Sequence, residues 1–292
     1  MGIFLVQSRL RRKATLVTRS HQGKVSQPLR NPAVTDAYPL PIEKPRRLHL
    51  DWLFPVLVQP RRTFEKITAQ AQAVWLTPLL ILSLTAVFQV LAAGQIKQQA
   101  ALSGQVELPP GFEYYSPEDQ AQFQKAMEAT QSPTFIYVLP ALAAVSGVWA
   151  GWLLVGGLLH LALTMLGGRG AISVAMNVVA WSSLPFAVRE LVRTASMLIT
   201  HRLISSPGLE GFVHGGDGGL ALYLAAFLAL VDIYIIWHIL LLVIGVRVAS
   251  GLSRSKVWGG VLMVILPVLL LQALLTHLVS RLSNLTIIRP FF

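Results

Sequence analysis

Four ionisable residues stand inside long apolar runs: Arg189, Glu190 and Arg193 in the run 171–200, and Asp232 in the run 220–246. Charges in such places are costly in hydrocarbon and face a bundle interior or a polar cavity. The first run is centred near Pro185–Phe186 and the second near Ile233. At a helical rise of 1.5 Å per residue, Arg189 and Asp232 then lie within about 6 Å of each other in depth. An ion pair between neighbouring spans is expected, with Glu190 pairing to Arg193 on its own helix. Reversing both charges of the Arg189–Asp232 pair is expected to restore folding lost by either reversal alone. Such a pair either fixes how two helices pack or forms part of a proton or ion path. A path needs a stripe of polar residues, and the last apolar run offers only Gln272 and His277. The packing role is therefore the stronger reading.

Other chemistry is thinly represented. His160, His238 and His277 lie in apolar runs, no two stand four apart, and no His-Glu-x-x-His occurs. Zinc chemistry needs two or three converging ligands, so packed or interfacial histidines are expected and no metal. There is no cysteine, which excludes disulfides and thiolate catalysis. Gly167-Gly-Arg-Gly170 and Gly215-Gly-Asp-Gly-Gly219 match no phosphate loop, and a turn suffices for each. No cofactor is expected. Pro185 lies within an apolar run and removes a backbone donor there, so a kink is expected, with Pro140 and Pro267 as similar candidates. Gly151 to Gly157, with Gly147 and Ala150, put small residues on one face of a run, which favours close helix approach.

These residues need a membrane-spanning frame, and composition supplies it. Apolar residues make up 54% of the 292 and charged residues 13%, about half the charged share of soluble domains. A soluble protein of this length lacks the polar groups to cover itself. The net charge of +11 is uneven: residues 1–73 hold 13 of the 24 Lys and Arg, with Asp36, Glu43, Asp51 and Glu65 as the only acids. Such an arm suits anionic lipid headgroups. Nucleic acid is not expected as a partner, because no recognition motif accompanies the charge. Met1 to Val6 precede Arg9, Arg11, Arg12 and Lys13, the reverse of a secretory signal's order, and Val6 stands where a myristoylation signal needs Ser or Thr.

Residues 1–50 are basic, rich in proline and without apolar period, so a largely disordered arm is expected. Residues 51–73 form an interfacial segment: Pro60-Arg-Arg-Thr-Phe-Glu-Lys-Ile67 starts on a proline allowed in a first helical turn. Phe64 and Ile67 share a face, expected to lie in the headgroups with the arginines outward. Residues 74–282 form the membrane domain, with spans at about 74–94, 135–166, 171–200, 220–246 and 257–279, each long enough for a ~30 Å hydrocarbon layer. A tail, 283–292, follows. Between the first two spans, Ser116-Pro-Glu-Asp119 reads as a helix start, with Ser as N-cap and acids in the first turn. Gly167–Gly170 makes spans two and three a hairpin. The fold class is all-α integral membrane protein: five transmembrane helices and a short N-terminal interfacial helix. Seventeen basic residues fall on the side of the arm, the 167–170 turn and the 247–256 loop, against five on the other. The N-terminus is then cytoplasmic and the C-terminus on the opposite side of the cell membrane.

Several segments carry a family resemblance. They are Pro60-Arg-Arg-Thr-Phe-Glu-Lys-Ile67, Trp75-Leu-Thr-Pro78, the long span ending in Gly167-Gly-Arg-Gly170, Val179-Ala-Trp-Ser-Ser-Leu-Pro185, and Asp232-Ile-Tyr-Ile-Ile-Trp237 followed by Leu240 to Gly245. Over about residues 50–280 the chain resembles the Yip family, the Ypt/Rab-interacting membrane proteins, in its bacterial branch. Eukaryotic members bind prenylated Rab GTPases and act in vesicle traffic or membrane shaping. Bacteria have no Rab cycle, so that partner does not carry over. The family is not known as enzymatic. The resemblance implies a multi-pass scaffold or adaptor that binds a protein partner or a second copy, with Asp232, Trp237 and Pro185 as family-pattern residues. The alternative is a transporter component with Arg189 and Asp232 lining a polar path. An intramembrane enzyme would need paired catalytic groups, and none stand out.

Overall fold

The apolar runs become helices whose ends are set by local chemistry. In the computed structural model, residues 48–70, 72–102, 112–204, 207–213 and 219–287 are described. The basic arm (residues 1–47), the second half of the tail (288–292) and residues 214–218 lie outside them. The helices are α1 (Leu53–Val58), α2 (Pro60–Ala69), α3 (Leu76–Leu102), α4 (Pro117–Gln131), α5 (Leu139–Met165), α6 (Ile172–Ser182), α7 (Leu184–Thr200), α8 (Gly219–Ala229), α9 (Ile233–Ser250) and α10 (Arg254–Ile287). No strand occurs among the described residues. Five stretches are long and apolar enough to cross a bilayer: Leu76–Ala100, Thr134–Met165, Ile172–Thr200, Ile233–Ser250 and Arg254–Val279. The chain is an all-α, multi-pass membrane protein. Leu80, Leu84 and Phe88 on α3 and Leu266, Leu270 and Leu274 on α10 are exposed; in a bilayer such residues meet lipid at no cost.

Several helix ends follow the sequence reading. Ser116 Oγ accepts the Asp119 N–H (3.2 Å) and starts α4, satisfying one of the four orphan donors of a helix start. After α5, Gly167 takes φ +92°. Its N–H reaches Thr164 O (3.0 Å) and that of Gly168 reaches Leu163 O (2.8 Å). This is a Schellman ending, which needs a left-handed residue where glycine costs least. It folds α6 back on α5.

Three expectations change. The run 220–246 is not one continuous helix. It breaks at Leu230–Asp232 into α8 and α9, so Asp232 is the first residue before a helix and not the middle of one. Both pieces follow α10, and Tyr223 Oη donates to Leu270 O (3.2 Å). Second, Phe64 and Ile67 of α2 do not lie among headgroups. Both are fully buried in protein. At Gly245 of α9, an added Cβ would stand 3.0 Å from the Phe64 ring and 2.7 Å from Val178 Cγ1, so Phe64 fills a notch between α6 and α9 that only glycine leaves open. A protein surface with a ring-sized notch excludes water and lipid from these side chains better than the headgroup region does. The exposed large apolar residues at the described start of the chain are instead Leu48, Leu50, Phe54 and Val58. Third, Gly147, Gly151 and Gly157 on α5 have no neighbour within 4 Å of where a Cβ would be. Among the small residues of that helix it is Gly156, packed on Met176, that permits close approach.

The core is rich in tryptophan. Trp75 packs on Trp152 with ring centres 4.6 Å apart and meets Trp149 edge-on at 5.9 Å. Trp52, stacked on His49 at 4.0 Å, reaches Trp181 at 5.7 Å. These contacts draw the N-terminal segment and the start of α3 onto α5 and α6.

Candidate functional site

The intramembrane charges sit where two helices are interrupted side by side. The first interruption is at Ser183, between α6 and α7. Pro185 is the second residue of α7 and has no N–H to give Trp181 O. Phe186 N–H then bonds Ser183 O (2.9 Å) in a tighter turn, which leaves Ser182 O free of the ladder. His238 of α9, fully buried, supplies the missing donor: its Nδ1 donates to Ser182 O at 2.8 Å. Since a carbonyl only accepts, the proton is on Nδ1. The kink expected at Pro185 is thus tied to the neighbouring helix by a histidine.

The second interruption is Leu230–Asp232. Asp232 has φ −139° and ψ 178°, and its Oδ1 accepts the N–H groups of Tyr234 (3.0 Å) and Ile235 (2.9 Å). These are two of the four donors that a helix start leaves unpaired. The end of α8 is served by the preceding loop. Leu209 N–H is shared between Leu228 O (2.9 Å) and Val231 O (3.1 Å). Gly208, at φ +61°, brings the backbone so close that a Cβ there would be 2.7–2.8 Å from three carbonyl oxygens, those of Leu228, Ala229 and Val231. Irregular backbone within a membrane protein persists only where protein or water pairs its polar groups.

The four charges meet across these two breaks. Asp232 Oδ2, the oxygen not used for capping, lies 3.6 Å from Arg189 Nη1 and 3.7 Å from Arg193 Nη2. Glu190 Oε1 accepts from Arg189 Nε at 3.0 Å and lies 4.0 Å from Arg193 Nη1. The Arg189 guanidinium also stands 4.9 Å above the Phe186 ring, whose other neighbour is His238 at 4.9 Å. All four side chains are mostly buried, with exposures of 11–23%. Two cations and two anions leave the cluster neutral, which limits the desolvation cost of each. Glu190 Oε2 is buried and makes no hydrogen bond among the described groups. The Arg189–Asp232 and Glu190–Arg193 contacts read from sequence are both within ion-pair distance, and two more join them: Arg193 also reaches Asp232, and Glu190 is nearer to Arg189 than to Arg193. Trp237, also named from sequence, is half-buried against the hydrophobic core.

A second polar site escaped the sequence reading. Asn177 on α6 is completely buried. Its Oδ1 accepts the Val74 N–H (2.9 Å) and its Nδ2 donates to Gln72 O (3.1 Å). One turn later, Trp181 Nε1 donates to Val74 O (3.0 Å). The pair acts as a clip on the segment before α3, pairing both backbone groups of Val74, which would otherwise be buried alone. The i, i+4 spacing of Asn177 and Trp181, both polar-tipped in an apolar helix, was the available signal. Asn177→Leu strands the buried Val74 N–H, and a buried unpaired group costs about 1–3 kcal/mol; the carbonyl of Gln72, an exposed residue, can turn to water. The expected result is a clear fall in thermal stability in detergent, larger than for Ser83→Ala, whose Oγ meets Trp149 Nε1 at 3.2 Å on α5.

Among the described residues no group of three His, Asp or Glu side chains converges as a metal site would require. No curated protein matches the chain, and neither does any solved structure. One family model does match: that of the Yip1 domain, over residues 54–276, a stretch that runs from α1 to α10 and takes in both interrupted helices and all four charges. The chain belongs to the Yip1 domain family.

Proposed function

We propose that the protein is a non-enzymatic membrane scaffold or adaptor, a rigid helical body that organises lipid or holds a protein partner or a second copy of itself. The observation that carries this reading is the closure of the polar centre. Asp232 caps a helix with one oxygen and meets two arginines with the other, and the Ser182 carbonyl left spare at the Pro185 break is taken by His238. Groups committed to one another fix helix packing and leave little freedom for a substrate. The rival reading, a transporter component, draws on one feature: the buried, unbonded Glu190 Oε2 beside a discontinuous helix, an arrangement used by transporters to bind ions. Purified protein in liposomes distinguishes the two. A scaffold leaves proton and cation leak unchanged and yields discrete crosslinked partners in native membranes. Flux that Glu190→Gln abolishes, while the protein stays folded, would overturn the scaffold reading.

In the same reading the basic N-terminal arm rests on anionic headgroups, and the protein lies in the cell membrane with its N-terminus cytoplasmic and its C-terminus opposite. The basic excess on the side of the arm supports this orientation. A reporter fused after Phe292 is then active only when it works outside the cytoplasm; cytoplasmic activity would require an even number of crossings.

A further inference from the structure

One end of the helix bundle carries a ring of cations that nothing in the polar centre uses. It is the end holding the turns Leu166–Ala171 and Gly251–Ser253. Lys256, at the start of α10, ties the two turns together by donating from Nζ to Leu166 O at 3.1 Å. Arg169 lies exposed in the first turn, Arg247 in the last turn of α9, and Arg254 beside Lys256. Helix α2 extends the ring. Phe64 anchors it near the same end of α9, at Gly245, and with Phe64 and Ile67 buried its other face presents Arg61, Arg62 and Lys66 to the outside. Among the described residues they form one ion pair, the exposed contact of Arg61 with Glu65 at 3.4 Å.

The opposite end is different. There Lys97, Lys125, Arg202 and Arg281 are matched by Glu113, Glu118, Asp119, Glu128 and Glu210. The cationic end stands where apolar helices emerge, which is the plane of lipid phosphates. We infer that this folded end is an anionic-lipid binding surface, with α2 as its fixed cationic rail. The inference deepens the proposal that the protein rests on acidic headgroups, and moves the contact from the arm to the folded domain. Because α2 keeps its apolar side inside the protein, its cations bind lipid without the helix dipping into the bilayer. Binding is therefore electrostatic and sensitive to salt.

The test uses the full chain in mixed phosphatidylcholine–phosphatidylglycerol bilayers, with spin-labelled phosphatidylglycerol as the probe. The protein is expected to prefer the anionic probe, and the preference to fall with rising salt. Arg61→Gln, Arg62→Gln and Lys66→Gln together, with Arg254→Gln and Lys256→Gln added, are expected to lower the preference about fivefold or more. All five residues are exposed, and an unchanged elution profile certifies the fold. A second full-length variant neutralises Arg9, Arg11, Arg12 and Lys13 and is expected to retain most of the preference. If this arm variant loses the preference and the five-site variant keeps it, the inference fails while the arm's role stands. A preference absent in both variants and in the unaltered protein would overturn the lipid reading itself and leave an acidic protein as the partner of this end.

Discussion

Asp232→Ala is expected to lower the unfolding free energy by about 3–5 kcal/mol, because it leaves Arg189 and Arg193 buried with only Glu190 to answer them. It also exposes the Tyr234 and Ile235 N–H groups, now bonded to Oδ1; loss of a cap alone is worth about 1 kcal/mol. Asp232→Asn separates these two effects. Its side-chain oxygen still caps α9, so its loss comes from charge alone and is expected to be the smaller. Thermal unfolding in a single detergent compares them; equal losses would mean that the cap contributes nothing. The double reversal Arg189→Asp with Asp232→Arg is not expected to restore wild-type stability. Arg193 then faces a new cation, and an arginine cannot accept the two α9 N–H groups. This revises the simple exchange that the sequence suggested, and the reason is that Asp232 does two jobs with two oxygens.

Phe64→Ala is the other large effect. Phe64 is fully buried in the notch at Gly245, and truncation of such a ring costs about 3–5 kcal/mol. The loss falls on the docking of α2, so local release is expected before the spans separate. The chain has no cysteine, which makes a single introduced thiol a clean reporter. Ile67→Cys, buried at the start, is expected to resist a water-soluble maleimide in the parent and to react quickly beside Phe64→Ala. If both variants stay unreactive, α2 does not depend on the notch. If both react, α2 is loose from the outset.

These two residues also show what sequence can and cannot report. The spans, the Ser116 cap and the glycine ending at Gly167 were legible because apolar length, N-cap chemistry and left-handed backbone each leave a local mark. So was the nearness of Arg189 to Asp232, since two charges at similar depth in hydrocarbon seek each other. The break before α9 was not read, because Leu228-Ala-Leu-Val holds neither proline nor glycine and hydropathy is blind to direction. An aspartate followed by an apolar run was a start signal, outweighed by the length of that run. For α2 the pattern gave the apolar face correctly but not the medium it faces, since a headgroup layer and a protein notch ask for the same residues. Asn177 was passed over because a polar residue satisfied by backbone looks, in sequence, like a tolerated imperfection.

The loop through Gly208 and Leu209 has a consequence for how the chain is made. The Leu209 amide reaches two carbonyls at the crease between α8 and α9, that of Leu228, which also accepts the Val231 N–H at 3.1 Å, and that of Val231; until it arrives the Val231 carbonyl lacks this donor. A newly inserted segment 219–250 is therefore expected to start as an unbroken rod and to crease when the 207–213 loop packs against it. The bend is then expected late in biogenesis, set by a neighbour that was synthesised first.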